Sequence, residues 1–237
     1  MKKRYWLSAI LIIIAAFSFT ACGNKPSAAP TEETPPRETS DTENKGQMAN
    51  DTAEHTLIAY FSRVGNTDFP EGVDAITSAS LNMSDGELKG NTQLIAEYIQ
   101  RQTGGELFLI TTTEKYASDY DEVVNDVQQQ HRQGISPDLA NTVTEMEKYD
   151  TVFLGFPNWD FDMPMAVYRF LEEYDFSGKT IVPFCTHGGS RFSDSIQTLR
   201  DMLPDSTVLE GLAISGDRAA DAQSEVEEWL LETGISQ

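Results

Sequence analysis

Predicted strands and helices alternate along the chain from Leu57 onward, and this alternation constrains the fold more than any other feature. Short apolar runs suited to buried strands are separated by segments whose apolar residues recur at helical spacing. The predicted strands are Leu57–Phe61, Leu107–Thr112, Thr151–Phe156, Lys179–Phe184 and Thr207–Ile214, and the predicted helices are Thr92–Gln102, Tyr120–Arg132, Met165–Tyr174, Ser193–Met202 and Ala222–Leu231. The helix Tyr120–Arg132 is predicted to be polar and exposed. We therefore expect an α/β fold: a doubly wound five-stranded parallel sheet, order 2-1-3-4-5, in three αβα layers.

The loop after the first predicted strand is suited to a phosphate. Ser62, Arg63 and Val64 follow that strand, and Asn91 and Thr92 open the first predicted helix. A helix start carries unpaired N–H groups and the positive end of the dipole, both of which favour an anion. Such turns are also common as simple helix caps, so this loop alone leaves the two interpretations open.

Two further loops are expected at the same edge of the sheet, since the carboxyl ends of parallel strands meet there. After strand three, Trp159 and Phe161 lie on a loop framed by prolines. They offer a flat apolar surface to a ring system, or they fill the top of the core. After strand four, Gly188 and Gly189 let backbone N–H groups approach a planar heterocycle, or they make a tight turn.

In combination these segments resemble the flavodoxin-like family, specifically its secreted lipoprotein branch, which binds FMN. The resemblance covers residues 56–233. It is carried by Phe61–Thr67, Gly90–Ala96, Tyr149–Trp159, Asp175–Thr180 and Phe184–Phe192.

The resemblance implies which residues contact FMN. The phosphate is assigned to Ser62, Arg63, Val64, Asn91 and Thr92. One side of the isoalloxazine is assigned to Pro157, Asn158 and Trp159, and its pyrimidine edge or opposite side to Thr186, His187, Gly188 and Gly189. The implied cofactor is FMN, with no catalytic residue and no metal site.

Three features depart from the family pattern. Residues 66–90 intervene between the first loop and its helix, so Asn66 and Thr67 are expected to be displaced or supplementary. Val64 stands where a hydroxyl residue is common. Asp160 follows Trp159 where a second Trp is common, and its charge is expected to repel reduced, anionic FMN.

The N-terminus predicts a secretory signal of the lipoprotein type at residues 1–21. Three basic residues precede the apolar segment Leu7–Phe19, and Thr20 and Ala21 precede Cys22. This arrangement predicts cleavage before Cys22 and acylation of its thiol; an uncleaved anchor helix is the alternative. Either way, we expect an extracytoplasmic protein of the cell envelope that is anchored to a membrane.

Residues 22–53 are predicted to be a disordered tether, and residues 54–237 the folded domain. The tether is rich in Pro, Thr, Ser and Glu and has almost no large apolar residue. The formal net charge of the chain is −21. This negative charge disfavours nucleic acid and anionic lipid surfaces as partners, whereas a redox protein or a small-molecule electron donor or acceptor is expected.

The cysteines and histidines point to no further chemistry. With Cys22 acylated, Cys185 has no partner for a disulfide, and its position after an apolar run predicts a buried thiol. His55 and His131 are predicted to be solvent-exposed, and no histidine shows metal-ligand spacing with cysteine.

Three functions remain open from the sequence. The first is a tethered FMN electron carrier, for which the acidic composition predicts a low potential for the second electron. One carboxylate at about 10 Å disfavours an anionic cofactor by about 1.7 kcal/mol, or roughly 70 mV. The second is an FMN-dependent NAD(P)H or quinone oxidoreductase. The third is a binding module of the same fold that has lost FMN.

Overall fold

The structure is a computed structural model that describes residues 55–70, 80–84 and 86–235. The predicted signal peptide, Cys22 and the predicted tether lie outside these residues. Within the described part of the chain, no helix has both the length and the apolar character needed to cross a bilayer.

Strands and helices alternate as predicted, with one additional hairpin. The strands are β1 (Thr56–Phe61), β2 (Leu81–Ser84), β3 (Glu87–Gly90), β4 (Glu106–Ile110), β5 (Thr151–Pro157), β6 (Thr180–His187), β7 (Thr207–Val208) and β8 (Leu212–Ser215). The α-helices are α1 (Asn91–Thr103), α2 (Tyr120–Gln133), α3 (Met165–Glu173), α4 (Ser195–Met202) and α5 (Gln223–Thr233), and short 3-10 helices cover Met146–Lys148 and Gly216–Asp221.

The main sheet is parallel and has the order β4-β1-β5-β6, with β7 and β8 both beside β6. Counting β7 and β8 as one interrupted strand, this is the predicted order 2-1-3-4-5. The α/β fold class inferred from the sequence is therefore confirmed. The carboxyl ends of β1, β5 and β6 lie next to one another at one edge.

The fifth predicted strand, Thr207–Ile214, was wrong as a single element because it is broken in the middle. The N–H of Leu209 donates to the carbonyl of Ile181 on β6 at 3.0 Å. Two residues further along β6, the next donor on that side would be Pro183, which has no N–H. The chain leaves the sheet there and returns after Gly211, whose φ of +76° a larger residue rarely adopts.

Both faces of the sheet are covered, as the predicted topology requires. On β1, Leu57 and Phe61 belong to one buried cluster, and Ile58 and Tyr60 belong to the other. This alternation is the period of two expected of a strand between two helical layers.

Two predictions about single side chains have different outcomes. Cys185 is buried as expected, and burial raises the pKa of its thiol to about 12, so the reactive thiolate is disfavoured. His131 was predicted to be exposed, and that prediction is wrong. Its side chain is only 15% exposed, with Nε2 lying 2.9 Å from the carbonyl oxygen of Met163.

Candidate functional site

A cavity of about 680 Å³ lies where β1, β5 and β6 end, and we call it the open end of the site. It is within the size range of small-molecule and cofactor sites. Its lining residues are Arg63, Ser80, Tyr120, Val123, Val124, Val127, Pro157, Asn158, Trp159, Asp160, Phe161, Thr186, Gly188, Gly189 and Ser190. The loops after strands β1, β5 and β6 thus contribute to one cavity, as their places in the sheet predict.

Trp159 forms an aromatic wall of the cavity. Its ring lies edge-to-face with Phe61 at 5.2 Å and with Tyr116 at 5.4 Å between centroids. Its indole N–H donates to the hydroxyl oxygen of Ser80 at 3.1 Å. Trp159 therefore packs against the core and lines the cavity at once, so the two interpretations of this residue are compatible.

The chain reverses direction directly after Trp159. Backbone N–H groups of Trp159 and Asp162 donate to each other's carbonyl oxygens at 2.9 and 3.0 Å. Asp160 and Phe161 between them have φ values of +52° and +64°, which non-glycine residues adopt at a cost in strain. The turn leaves Phe161 71% exposed at the rim of the cavity.

Two aspartates of this turn, Asp160 and Asp162, contact the surrounding structure. The Asp162 carboxylate accepts hydrogen bonds from the Met163 N–H at 2.7 Å and from the Tyr168 hydroxyl at 2.8 Å. The Asp160 carboxylate lies 4.0 Å from the Nδ1 atom of His131 on α2. These contacts stabilise a strained turn whose position decides where the aromatic wall lies.

Helix α2 supplies an apolar wall that the sequence analysis missed. Tyr120, Val123, Val124 and Val127 follow the i, i+3, i+4, i+7 pattern of one helix face, and all line the cavity. The sequence interpretation of this segment as a polar, exposed helix is therefore wrong for that face. The spacing was visible in the sequence, but the many Asp, Glu and Gln residues around it hid the signal.

Arg63 is a buried cation beside the cavity. Its Nη2 donates to the carbonyl oxygens of Ala117 and Ser118, both at 3.1 Å. Burial lowers the pKa of the guanidinium, and nearby Asp119 opposes that shift, but Arg remains charged at physiological pH. In a chain with a large excess of acid, this fixed positive charge is suited to an anionic group.

The residues assigned to the phosphate, apart from Arg63 and Val64, lie at a second location that we call the closed end, formed by Ser62, Gly90, Asn91 and Thr92. Ser62, Asn91 and Thr92 are at most 2% exposed. A Cβ atom on Gly90 would lie 1.9 Å from the Ser62 hydroxyl oxygen, so only glycine allows this approach of strand end and helix start.

The open and closed ends are joined by a buried hydrogen bond. The hydroxyl oxygens of Thr92 on α1 and Thr186 on β6 are 2.8 Å apart, and Thr186 lines the cavity. Two residues that are far apart in sequence are thus brought together between the helix start and the ring-sized cavity.

Asn66 has a structural role rather than a place in the cavity. Its side-chain amide donates to the carbonyl oxygens of Ser62 and Ile110, each at 2.9 Å. Its amide oxygen accepts from the N–H and the hydroxyl of Thr112. These bonds fix the loop after β1 to the end of β4. Asn91 and Thr92, and not Asn66 and Thr67, are the residues at the start of α1, as the sequence assignment expected.

His187 is not among the residues that line the cavity. Its Nδ1 accepts a hydrogen bond from the Gly189 N–H at 2.9 Å, so the ring proton is on Nε2 when the side chain is neutral. Burial lowers its pKa from the ordinary value of 6.5, and the charge of Arg191 adds to this effect. Of the predicted residues, the structure thus brings Arg63, Pro157, Asn158, Trp159, Thr186, Gly188 and Gly189 to the cavity, but not Ser62, Val64, Asn91, Thr92 or His187.

The chemistry of these residues fits FMN. Among the described residues, Ser62 Oγ, Arg63 Nε and Thr67 Oγ1 are buried without a hydrogen-bond partner. Buried polar groups left unpaired are costly, and the donors on the adjacent residues Ser62 and Arg63 are of the kind that a phosphate would satisfy. The open end provides aromatic and apolar walls with a few polar groups, as a planar ring system needs. No group of metal-ligating side chains occurs in the described part of the chain.

Comparisons with known proteins agree with this geometry. The sequence profile of the family described as Flavodoxin matches residues 84–233, more than half of the chain. No functionally curated protein matches the chain.

Solved structures share the fold. A candidate flavoprotein from Bacteroides uniformis is 24% identical with a TM-score of 0.58, over 76% of this chain and 99% of its own. One from Bacteroides eggerthii is 24% identical with a TM-score of 0.55, over 74% and 94%. A Lactobacillus acidophilus flavoprotein in complex with FMN is 19% identical with a TM-score of 0.50, over 73% and 99%. With its sheet order, its cavity and this family match, the chain belongs to the flavodoxin family, a membership that points to FMN as its cofactor.

Proposed function

We propose that this protein is an FMN-binding electron-transfer protein tethered to a membrane by a lipid on Cys22. The observation that carries the proposal is a ring-sized aromatic cavity together with two buried donors on adjacent residues, Ser62 Oγ and Arg63 Nε, that have no hydrogen-bond partner in the described part of the chain. When bound, FMN supplies one- or two-electron transfer.

The residues of this chain would hold and shield the cofactor. Ser62, Arg63 and the start of α1 bind the phosphate. Thr92 contributes a helical N–H group, whereas the N–H of Asn91 is already bonded to the carbonyl oxygen of Ser80. Trp159 and Pro157 limit the access of water to one side of the ring. Gly188 and Gly189, with no side chain beyond hydrogen, leave room for backbone contacts with its edge.

The visible absorption spectrum tests FMN binding. The full chain, purified in detergent, is expected to show a flavin spectrum after addition of FMN and removal of the free nucleotide. Arg63→Ala removes the buried cation and is expected to weaken binding, whereas Arg200→Ala changes an exposed surface pair with Glu210 and is the matched control. A protein that stays colourless with excess FMN would contradict the proposal and favour a binding module that has lost the cofactor.

The membrane location is supported by the sequence around Cys22. Thr20 and Ala21 precede it, and a basic start and an apolar segment come before them. We expect an acylated protein of the cell envelope on the extracytoplasmic side. Substituting Cys22→Ser is expected to release the protein from the membrane fraction, with Ser27→Ala as a control for changes near the N-terminus. Retention of the Cys22→Ser protein by the membrane would favour an uncleaved anchor.

The negative net charge of the protein indicates which kind of redox partner it would attract. With a formal net charge of −21, the protein would attract a basic redox protein or accept a neutral small molecule more readily than an anion. Electron exchange with such a protein is expected to slow as salt concentration rises.

A second candidate function is supported by the α2 wall. Tyr120, Val123, Val124 and Val127 add apolar surface to the cavity that Trp159 also lines, and a flat apolar substrate would bind to such a surface. This favours an FMN-dependent oxidoreductase of the NAD(P)H or quinone type. Steady turnover with NAD(P)H and a quinone would support it, and electron exchange only with protein partners would support the carrier.

A further inference from the structure

Ser80 contacts both ends of the site at once. Its hydroxyl oxygen accepts the hydrogen bond of the Trp159 indole N–H at 3.1 Å. Its carbonyl oxygen accepts the N–H of Asn91, the first residue of α1, at 2.9 Å. The residue is 7% exposed, so both bonds are largely shielded from water.

Ser80 comes from the segment that separates this chain from its family pattern. It directly precedes strand β2, and the family profile begins only at Ser84. The hairpin β2–β3 returns the chain to Gly90, whose N–H donates a hydrogen bond to the side-chain oxygen of Gln93 at 3.3 Å. Ser80 therefore lies next to the start of α1 and places its hydroxyl against the aromatic wall.

We propose that Ser80 is a positioning residue, which fixes the indole of Trp159 at the cavity wall and links it to the start of α1. The indole N–H of Trp159 is half-buried, and such an N–H needs an acceptor. The edge-to-face contacts with Phe61 and Tyr116 pack the ring but supply no acceptor for that N–H, so Ser80 determines how the ring is oriented. This inference rests on the proposed FMN site, because Trp159 is the aromatic side chain assigned to the isoalloxazine.

The test replaces only the hydroxyl. Ser80→Ala keeps the backbone bond to Asn91 and removes the partner of the indole. In FMN-free protein we expect a shifted tryptophan emission spectrum, and with FMN a dissociation constant raised about threefold to tenfold, as loss of one half-buried hydrogen bond predicts. Ser80→Thr retains a hydroxyl and is expected to restore both values toward those of the wild type. Ser84→Ala, the same change on the same hairpin, is the control and is expected to alter neither.

A double-mutant cycle separates positioning from general damage to the fold. Trp159→Phe removes the indole N–H, so adding Ser80→Ala to it is expected to change the FMN dissociation constant by less than twofold. Fully additive effects of the two substitutions, or an unchanged emission spectrum in Ser80→Ala, would overturn the inference. The emission readout needs no cofactor. If the wild type fails to bind FMN, the proposed function fails, while the contact between Ser80 and Trp159 is still tested.

Discussion

The open end of the site is aromatic and built from three loops and one helix face, whereas the closed end is polar and built around a single helix start. The open end presents Trp159 and Phe161 to a cavity of about 680 Å³. The closed end buries Ser62, Asn91 and Thr92 almost completely. This difference between the two ends matches the two parts of the proposed ligand. A ring system is bound by a broad apolar surface, and a phosphate is bound by a few hydrogen-bond donors that are shielded from water.

The two ends also differ in how much a single change can disturb them. The closed end depends on short, buried contacts such as the approach of Gly90 to Ser62, where little movement is possible. The open end depends on surfaces that several side chains share. Substitutions at the closed end should therefore affect folding and phosphate binding sharply, and those at the open end should act gradually.

The largest effect is expected from Asn66→Ala, because the Asn66 side chain holds the loop that carries Ser62 against the end of β4. The substitution leaves the carbonyl oxygens of Ser62 and Ile110 and the N–H of Thr112 without their side-chain partner. At about 1–3 kcal/mol for each buried unpaired group, we expect a loss of about 3–5 kcal/mol in the free energy of unfolding. Urea denaturation of the FMN-free protein measures it. Asn125→Ala, on the exposed side of α2, is the control, and a loss below about 1 kcal/mol for Asn66→Ala would show that the loop is held by other means.

The contrast between the ends is tested directly by comparing FMN with riboflavin, which lacks the phosphate. Ser62→Ala is expected to weaken FMN binding by about 1.5–3 kcal/mol, the range for a hydrogen bond to a charged group, and to leave riboflavin binding unchanged. Trp159→Phe is expected to weaken both by the same factor. Isothermal titration of each variant with FMN and with riboflavin, compared with the wild type, measures these changes. Equal losses for both ligands in Ser62→Ala would remove the distinction between the two ends.

Gly90→Ala tests the packing of the closed end. The new methyl group would overlap the Ser62 hydroxyl, and such overpacking costs about 1–3 kcal/mol of stability. Thermal and urea unfolding measure the loss. Adding Ser62→Ala removes the nearest atom and is expected to restore part of the stability. If the double variant is no more stable than Gly90→Ala, the clash lies elsewhere.

At the open end, Asp160→Asn is expected to raise the potential for adding the second electron to FMN. Removing one carboxylate charge at about 10 Å is worth at most roughly 70 mV, and solvent screening of this exposed side chain reduces it. Redox titration of the FMN-loaded protein gives the value. Glu232→Gln on α5, which does not line the cavity, is the control. A wild-type potential at or above that of free FMN would contradict the expectation of a low potential.

The smallest effect is a pH dependence from His187 at the end of β6. Its pKa in the folded protein lies below the ordinary 6.5, so the unfolded chain binds the proton first as pH falls. The stability contributed by the neutral ring is complete above about pH 6.5 and declines below it. Urea unfolding at about pH 7.5 and about pH 5.5 should show a smaller decrease for His187→Gln than for the wild type. The exposed His55→Gln variant should retain the wild-type decrease, and equal slopes for all three proteins would refute the assignment.

The sequence predicted the main architecture because its signals are local or general. Apolar periodicity located the strands and helices, and the rules for right-handed parallel connections gave the sheet order. The loops at Ser62, Trp159 and Gly188 could be assigned to one edge for the same reason. Their family resemblance added the cofactor, which neither charge nor spacing identifies.

Other features depended on contacts that no local pattern reveals. The break between β7 and β8 follows from Pro183 on a neighbouring strand rather than from the broken strand itself. The hairpin β2–β3 was missed because its two strands are only four residues each. The half-buried position of His131 depends on the chain around Met163, whose carbonyl oxygen lies next to the His131 ring although it comes from another part of the sequence.

By itself, the sequence determined the order of the elements and the edge of the sheet at which the site forms, because strand period and connection handedness leave few alternatives. Only the tertiary structure decided which side chains face the cavity and which are buried behind it. That choice depends on pairs such as Thr92 with Thr186 and Ser80 with Trp159, which are 94 and 79 residues apart. Their geometry is set by how whole layers pack, and not by the residues next to them in the chain.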